Sequence, residues 1–426
     1  SRYSVCMSPT RSDLIRGVLT AAAAAGSFRA GAAVAVINQP RLPPLTGPFK
    51  EVGVRYSRAG SARVKTFYPA ALPDSSPLEE APYCTDGRAT SDGMAGLVGF
   101  RQLGLSFLLA HLANAHSGCW LGAPPVHPER PLPLLIYSHG FGGNMDMGSY
   151  LMRQLASHGV VVAAVEHTDG TASFTRLADG SDLAFAPTKL SRAAQIRRRA
   201  EELLAAAVPG ALGEGLPISS DGAGTFLGGH SFGGPAALLA SSLAAGSPVR
   251  VSGLLLHDPA LGMNGGIGAA AGGGRGGGVP TLSYVSDEYD RAGVRCGTTL
   301  HTVGGFHGNF VDAALWAPRW VMRPLSAVIP AAGPSDPLEL HAAIAATGAA
   351  FLASGRPSSA LGSFGSSIDF DSDEESDTEG QAEYSLRLYR GSADEPERTS
   401  SLGRAAPPAL AQTVAVGSPR VGRVRG

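Results

Sequence analysis

The sequence predicts an α/β fold: a mostly parallel central sheet flanked by helices on both faces. Three observations carry the prediction. Short apolar runs bounded by turn residues recur at 131–137, 160–165, 225–227, 253–256 and 281–285, and uninterrupted runs of this length suit strands buried on both faces. Helical patterns separate several of these runs, and strand alternating with helix means a parallel sheet covered on both sides. One run, Thr225–Leu227, ends at Gly229-His230-Ser231-Phe232-Gly233, and a small-residue helical pattern follows at once. Strand, sharp Gly-x-Ser-x-Gly turn and helix together form the context of a nucleophile elbow.

The totals bound the rest. A chain of 426 residues exceeds the length at which one core usually stays undivided, so one large domain with extensions is expected. The 34 basic residues balance 35 acidic ones, which argues against a dedicated nucleic-acid binder. With 57 glycines and 31 prolines, part of the chain is expected to be irregular. Cys6, Cys84, Cys119 and Cys296 are widely spaced, without a Cys-x-x-Cys or zinc spacing. Buried or free thiols are expected, a Cys84–Cys119 pair being the alternative, and no metal or cofactor is called for. No stretch of 18 apolar residues suggests a transmembrane helix.

Residues 1–46 carry five arginines against the single acid Asp13, amid small apolar residues. This resembles an organelle transit peptide, the plainer alternative being an extension with no address. Because the chain starts at Ser1, loss of an initiator methionine or a longer leader is expected. Residues 47–355 are assigned to the catalytic domain. Glu51–Tyr56 and Ala62–Tyr68 alternate like antiparallel strands. From Leu97 to Ala113, residues Phe100, Leu103, Phe107, Leu108 and Leu112 are spaced like one helical face. Such a helix either packs on the core or contacts lipid beside an active-site mouth.

Pro131–Tyr137 reads as a buried strand, followed by Ser138-His139-Gly140-Phe141-Gly142-Gly143, a helix over 148–158 and a strand over 160–165. A basic helix is expected over 187–208, with Arg192, Arg197, Arg198 and Arg199 beside Glu201 and Glu202 on a solvated, ion-paired surface. Residues 262–278 read as a flexible Gly/Ala-rich insertion. A last helix is expected over 337–352. From 356 to 426 the chain is rich in Ser, Gly and acids, too poor in apolar residues to offset ordering entropy, and reads as a disordered tail.

A serine hydroxyl is a poor nucleophile until a histidine base, itself oriented by a carboxylate, takes its proton. Ser231 is the candidate nucleophile; a glycine-rich turn with a surface serine is the plainer alternative. Past Ser231 the acids at strand ends are Asp258 and then Asp287 or Glu288, and strand order alone leaves the choice open. Of the later histidines, His307 sits in Gly304-Gly305-Phe306-His307-Gly308-Asn309-Phe310, a loop suited to presenting an imidazole, whereas His301 reads as structural. The oxyanion hole requires two backbone N–H groups. Phe232, after the nucleophile, supplies one, and Phe141 the other with Gly142 in reserve. His139 and His230 read as buried supports.

These stretches resemble the platelet-activating factor acetylhydrolase family of the plasma and intracellular type II kind. The resemblance rests on Leu134–Gly142, on Ala156-Ser157-His158-Gly159 with Val165-Glu166-His167, on the elbow Gly229–Gly234, and on His307-Gly308-Asn309-Phe310. It covers roughly residues 46–320. It implies an α/β-hydrolase fold and calcium-independent hydrolysis of the sn-2 ester of phospholipids carrying a short or oxidised acyl chain. It further implies Ser231, Asp258 and His307 as the triad, favouring Asp258 over Asp287, with Phe141 and Phe232 as oxyanion donors. It also implies that Phe100, Leu103, Phe107 and Leu108 contact a membrane or lipid particle. Asp258-Pro259-Ala260 departs from the family's usual Asp-Ala-Trp. Two rival readings are an α/β-hydrolase esterase for soluble or polyester-like esters, and a hydrolase-fold protein that binds lipid or a partner without turnover.

Overall fold

The computed structural model describes residues 41–73, 78–261, 278–316, 333–362, 384–389 and 412–416. Most of the Arg-rich leader, the Gly-rich insertion and most of the expected tail lie outside them.

The chain opens with the hairpin β1 (Val52–Ala59) and β2 (Ala62–Pro69), then β3 (Glu80–Pro82), α1 (Arg88–Leu97) and β4 (His116–Leu121). The alternating core follows: β5 (Leu134–Ser138), α2 (Ser149–Ser157), β6 (Val161–Glu166), the small ribbon β7 (Phe174–Arg176) and β8 (Asp182–Ala184), α3 (Arg192–Ala207), β9 (Thr225–His230), α4 (Gly233–Ala244) and β10 (Gly253–His257). Then come β11 (Thr281–Val285), α5 (Asp287–Arg291), β12 (Thr298–Thr302), α6 (Pro337–Ser354), α7 (Ser359–Gly362), β13 (Tyr384–Tyr389) and β14 (Gln412–Val416).

Twelve strands form one sheet in the order β14-β13-β12-β11-β10-β9-β5-β6-β2-β1-β4-β3. The six central strands from β12 to β6 run parallel. Alternate residues of each central strand feed opposite cores. Leu135, Val162 and Leu255 pack with Leu155 of α2 and Phe351 of α6 on one face. Leu134, Val161 and Leu254 pack with Ile196 of α3 and Leu238 of α4 on the other. Burial on both sides explains why these strands are continuous apolar runs.

Three expectations are corrected. No single helix spans 97–113. Helix α1 lies upstream and ends at Leu97, and short 3₁₀ turns occupy Ser106–Leu108 and Ala110–Asn114. Gly99 and Gly104 adopt φ of 81° and 70°, left-handed conformations that stop a right-handed helix. Phe100, Leu103, Phe107 and Leu108 therefore do not form one helical face. The basic helix starts at Arg192, where the Ser191 hydroxyl caps it by accepting from Ala194 N. Its Arg199 and Glu202 are buried rather than solvated, whereas Arg197 and Glu201 do form an exposed pair. In the segment read as a disordered tail, β13 pairs antiparallel with β12 and β14 with β13. Cys84, Cys119 and Cys296 are buried and free, so Cys84 and Cys119 are not paired.

The turn after the His307 loop is tied to α2. Both oxygens of buried Asp312 accept from Tyr150 N at 3.1 Å. Burial pushes this carboxyl up to about 8. Between the ordinary carboxylate range and pH 8 the native state therefore holds a proton that the unfolded chain has lost. That contribution is complete below about pH 4 and is lost as pH rises toward 8, at up to about 1.4 kcal/mol per pH unit. Asp312→Asn is expected to flatten this slope. Urea unfolding at pH 5 and pH 8 checks it; an equal loss in both proteins would refute it.

Candidate active site

Ser231 sits where β9 turns into α4, with φ 53°, a strained conformation for a residue with a Cβ. Three backbone hydrogen bonds fix it. Its N–H donates to His257 O at 2.9 Å, and its carbonyl accepts from Gly234 and Ala260 N at 3.0 Å each. The flanking glycines are required by space. A Cβ at Gly229 would lie 2.5 Å from the Gly233 backbone, and one at Gly233 would overlap Ser138 O.

Asp258 directly follows β10 and is fully buried, with φ 42°. One carboxylate oxygen accepts from Ser286 N at 2.6 Å. The other lies 2.9 Å from His307 Nδ1. The second acid in question, Asp287, faces elsewhere: it meets His301 Nε2 at 2.8 Å and accepts from Gly304 N at 3.0 Å. Glu288 accepts from His307 N at 2.9 Å, so it holds the backbone of the loop and not the imidazole. The structure thus brings Asp258 to His307 and leaves Asp287 with His301. With Nδ1 on Asp258, Nε2 is the ring nitrogen left for proton transfer, and His307 and Ser231 line the same pocket.

In the loop expected to supply an oxyanion donor, Gly142 N donates to Thr171 O at 2.8 Å, which removes Gly142 as a donor. Among the described residues neither Phe141 N nor Phe232 N is engaged. The two rings meet edge to face at 5.7 Å, and the Arg192 guanidinium lies 4.0 Å from the Phe141 centroid. His139 is buried, with Nδ1 2.8 Å from Gly140 O and Nε2 3.5 Å from Glu166. His230 is buried as well, and burial followed by the nearby His307 and His257 holds it well below the ordinary histidine range. Neither is placed to serve as the base.

Beneath the loop lies a buried polar network that the sequence reading missed. Arg199 donates to His139 O, to Asp169 at 2.8 Å and to Thr171 Oγ1. His167 links Ser138 Oγ at 2.7 Å to Glu202 at 2.8 Å. A signal was available: Arg199 shares a helical face with Ile196, Ala200 and Leu203, three and four residues apart, all buried. Also missed was α5, whose Tyr289 ring lies parallel to His307 at 4.9 Å.

The pocket is about 170 Å³ and is lined mainly by apolar groups, among them Leu97, Phe141, Met147 and Val311. Leu97 belongs to the segment read as lipid-contacting, so that segment starts at the pocket rim. Within it Phe107 is 57% exposed, while Phe100, Leu103 and Leu108 are half-buried. Among the described residues no group of three metal-ligating side chains converges, and no helix is long and apolar enough to cross a membrane.

Comparisons with known proteins agree with this architecture. A family model described as platelet-activating factor acetylhydrolase, isoform II, matches residues 34–202. The dog platelet-activating factor acetylhydrolase is 29% identical over 161 residues, 35% of this chain and 34% of that protein. The bovine protein of the same name is 56% identical over 43 residues, 10% of each chain. The chain thus aligns with about a third or less of the length of these relatives. A solved ferulic acid esterase from Streptomyces cinnamoneus superposes with a TM-score of 0.52 at 21% identity, over 75% of this chain and 95% of that one. The family match ends before Ser231, so the roles of Ser231, Asp258 and His307 rest on geometry. The chain is an α/β-hydrolase-fold protein whose residues 34–202 carry the sequence pattern of the platelet-activating factor acetylhydrolase isoform II family.

Proposed function

We propose that this protein is a serine-dependent carboxylic ester hydrolase, and that its substrates are phospholipids with a short or oxidised sn-2 acyl chain. The observation that carries the reading is the 2.9 Å contact of His307 Nδ1 with buried Asp258, beside a serine held at φ 53° over the same pocket. Ser231 Oγ attacks the ester carbonyl and His307 Nε2 takes its proton. The Asp258 carboxylate stabilises the imidazolium, and Phe141 and Phe232 N–H hold the oxyanion. His307 then protonates the leaving lysophospholipid oxygen, and water repeats the sequence on the acyl-enzyme.

The apolar lining of the pocket, with Leu97, Phe141, Met147 and Val311 in it, supports an acyl chain as the group bound there. Exposed Phe107, in the segment that starts at the rim, is proposed to rest on the lipid surface.

The test joins labelling to a substrate panel. Ser231 is expected to react with a fluorophosphonate and Ser231→Ala to be inert; an unlabelled wild type would refute the catalytic reading. Phosphatidylcholines with sn-2 chains from acetyl to long are compared in calcium and in chelator. Short chains are expected to turn over equally in both. The ferulic acid esterase likeness makes a soluble-ester enzyme the second reading. Equal cleavage of a soluble ester, with no vesicle binding, would favour it.

A further inference from the structure

The two residues proposed as oxyanion donors are joined through their side chains. Phe141 stands between Gly140 and Gly142, and Gly142 takes a left-handed φ of 77°. Glycine on both sides leaves the Phe141 backbone little steric guidance of its own. Its ring supplies the anchor. It meets Phe232 edge to face at 5.7 Å and Phe185 edge to face at 5.4 Å. The Arg192 guanidinium lies over it at 4.0 Å from the centroid, and over Phe232 at 5.6 Å. One side chain therefore covers both rings. Phe232 is 3% exposed and has Arg199 over it as well, at 5.0 Å, whereas Phe141 is 36% exposed. Phe141 is thus the donor with more freedom to lose.

Arg192 is itself fixed. It opens α3 behind the Ser191 cap, and its Nη1 donates to Gln195 Oε1 at 2.8 Å. Gln195 is fully buried and donates in turn to Pro187 O at 2.9 Å. The first turn of α3 carries no acid, and a cation at a helix N-terminus works against the helix dipole. The two rings therefore account for where the guanidinium sits.

Resting on the esterase reading above, we infer that Arg192 is a positioning residue for the reaction: its guanidinium clamps the Phe141 ring to the Phe232 ring and so fixes the spacing of the two backbone N–H groups that receive the oxyanion. As Ser231 Oγ bonds to the ester carbon, the carbonyl π pair moves to oxygen and the Oγ proton passes to His307 Nε2. Both N–H groups must meet the charge on that oxygen at once. Such donors act on the tetrahedral state more than on the bound ester, so a loosened pair lowers kcat and leaves KM nearly unchanged. An arginine that only covers apolar surface would produce no such split.

The experiment uses the full chain with p-nitrophenyl acetate, which has no phosphate for Arg192 to attract, and with trifluoroacetone, whose carbonyl adds a serine hydroxyl to give a tetrahedral oxyanion. Arg192→Ala is expected to lower kcat about tenfold, short of the roughly 100-fold for deleting a donor outright, with KM within about twofold. The Ki of trifluoroacetone should rise about tenfold in step. Phe141→Leu keeps an apolar pocket wall but offers the guanidinium no ring. It is expected to show a similar loss, and adding Arg192→Ala to it should cost no more than about twofold further. Arg192→Lys retains a cation for the rings and should fall between Arg192→Ala and wild type. Unchanged kcat and Ki in Arg192→Ala, or losses that multiply in the double variant, would overturn the clamp and leave the esterase reading intact. If Arg192→Ala fails to fold by thermal unfolding, Arg192→Lys and Phe141→Leu decide, and unchanged kcat in both would overturn it. A wild type that neither turns over p-nitrophenyl acetate nor is inhibited by trifluoroacetone would overturn both readings.

Discussion

Asp258→Asn is expected to lower kcat/KM for ester hydrolysis by about 10,000-fold with little change in substrate binding. The magnitude follows from how the carboxylate is divided. One oxygen is committed to Ser286 N–H at 2.6 Å, the other to His307 Nδ1 at 2.9 Å. An asparagine must give its only oxygen to Ser286, because a backbone N–H cannot accept. Its amide nitrogen then faces Nδ1 and donates to it. That fixes the imidazole proton on Nε2, the tautomer unable to take the serine proton. Asp287→Asn has no such consequence. One oxygen of Asp287 serves both His301 and Gly304, and an asparagine oxygen can keep the Gly304 bond. Its loss is expected to stay below about tenfold, the scale of one hydrogen bond. Fluorophosphonate labelling rates of the two variants, with thermal unfolding as a check on folding, decide the matter. An Asp287→Asn protein as impaired as Asp258→Asn would reassign the acid.

That choice shows where sequence reading stops. Asp258 and Asp287 both follow buried strands, and nothing local separates them. Sheet order does: β10 lies beside β9, pairing His257 with His230 at the elbow, whereas β11 is one strand further out. The elbow was legible because its constraints are local, in the close approach of Gly229 and Gly233 to neighbouring backbone. The central strands were legible because burial on both faces leaves continuous apolar runs. The helix over 97–113 failed because apolar spacing was counted while Gly99 and Gly104, at positive φ, were not. Tyr289 carried no signal, since the ring it stacks on, His307, reaches it only after β12 and the turn that follows.

The opposite error, reading charge as exposure, concerned Arg199, and its removal is expected to have the largest effect on folding. Arg199 and Asp169 are both fully buried, 2.8 Å apart. Burial alone would raise the Asp169 carboxyl; the guanidinium overrides it and holds the group below the ordinary carboxylate range. Arg199→Met keeps much of the volume but strands a buried carboxylate, a loss of about 3–5 kcal/mol. It also removes the Arg199 bonds to His139 O and Thr171 Oγ1, two ties to the loop carrying Phe141. Stability and activity should therefore fall together. Adding Asp169→Asn separates them. A neutral amide needs no cation, so the double variant should regain part of the stability in urea unfolding. The loop anchors remain missing, so kcat should not recover. A single variant within about 1 kcal/mol of wild type would place this pair among ion pairs of little net worth; recovery of kcat in the double variant would mean that Arg199 serves the charge of Asp169 and not the oxyanion loop.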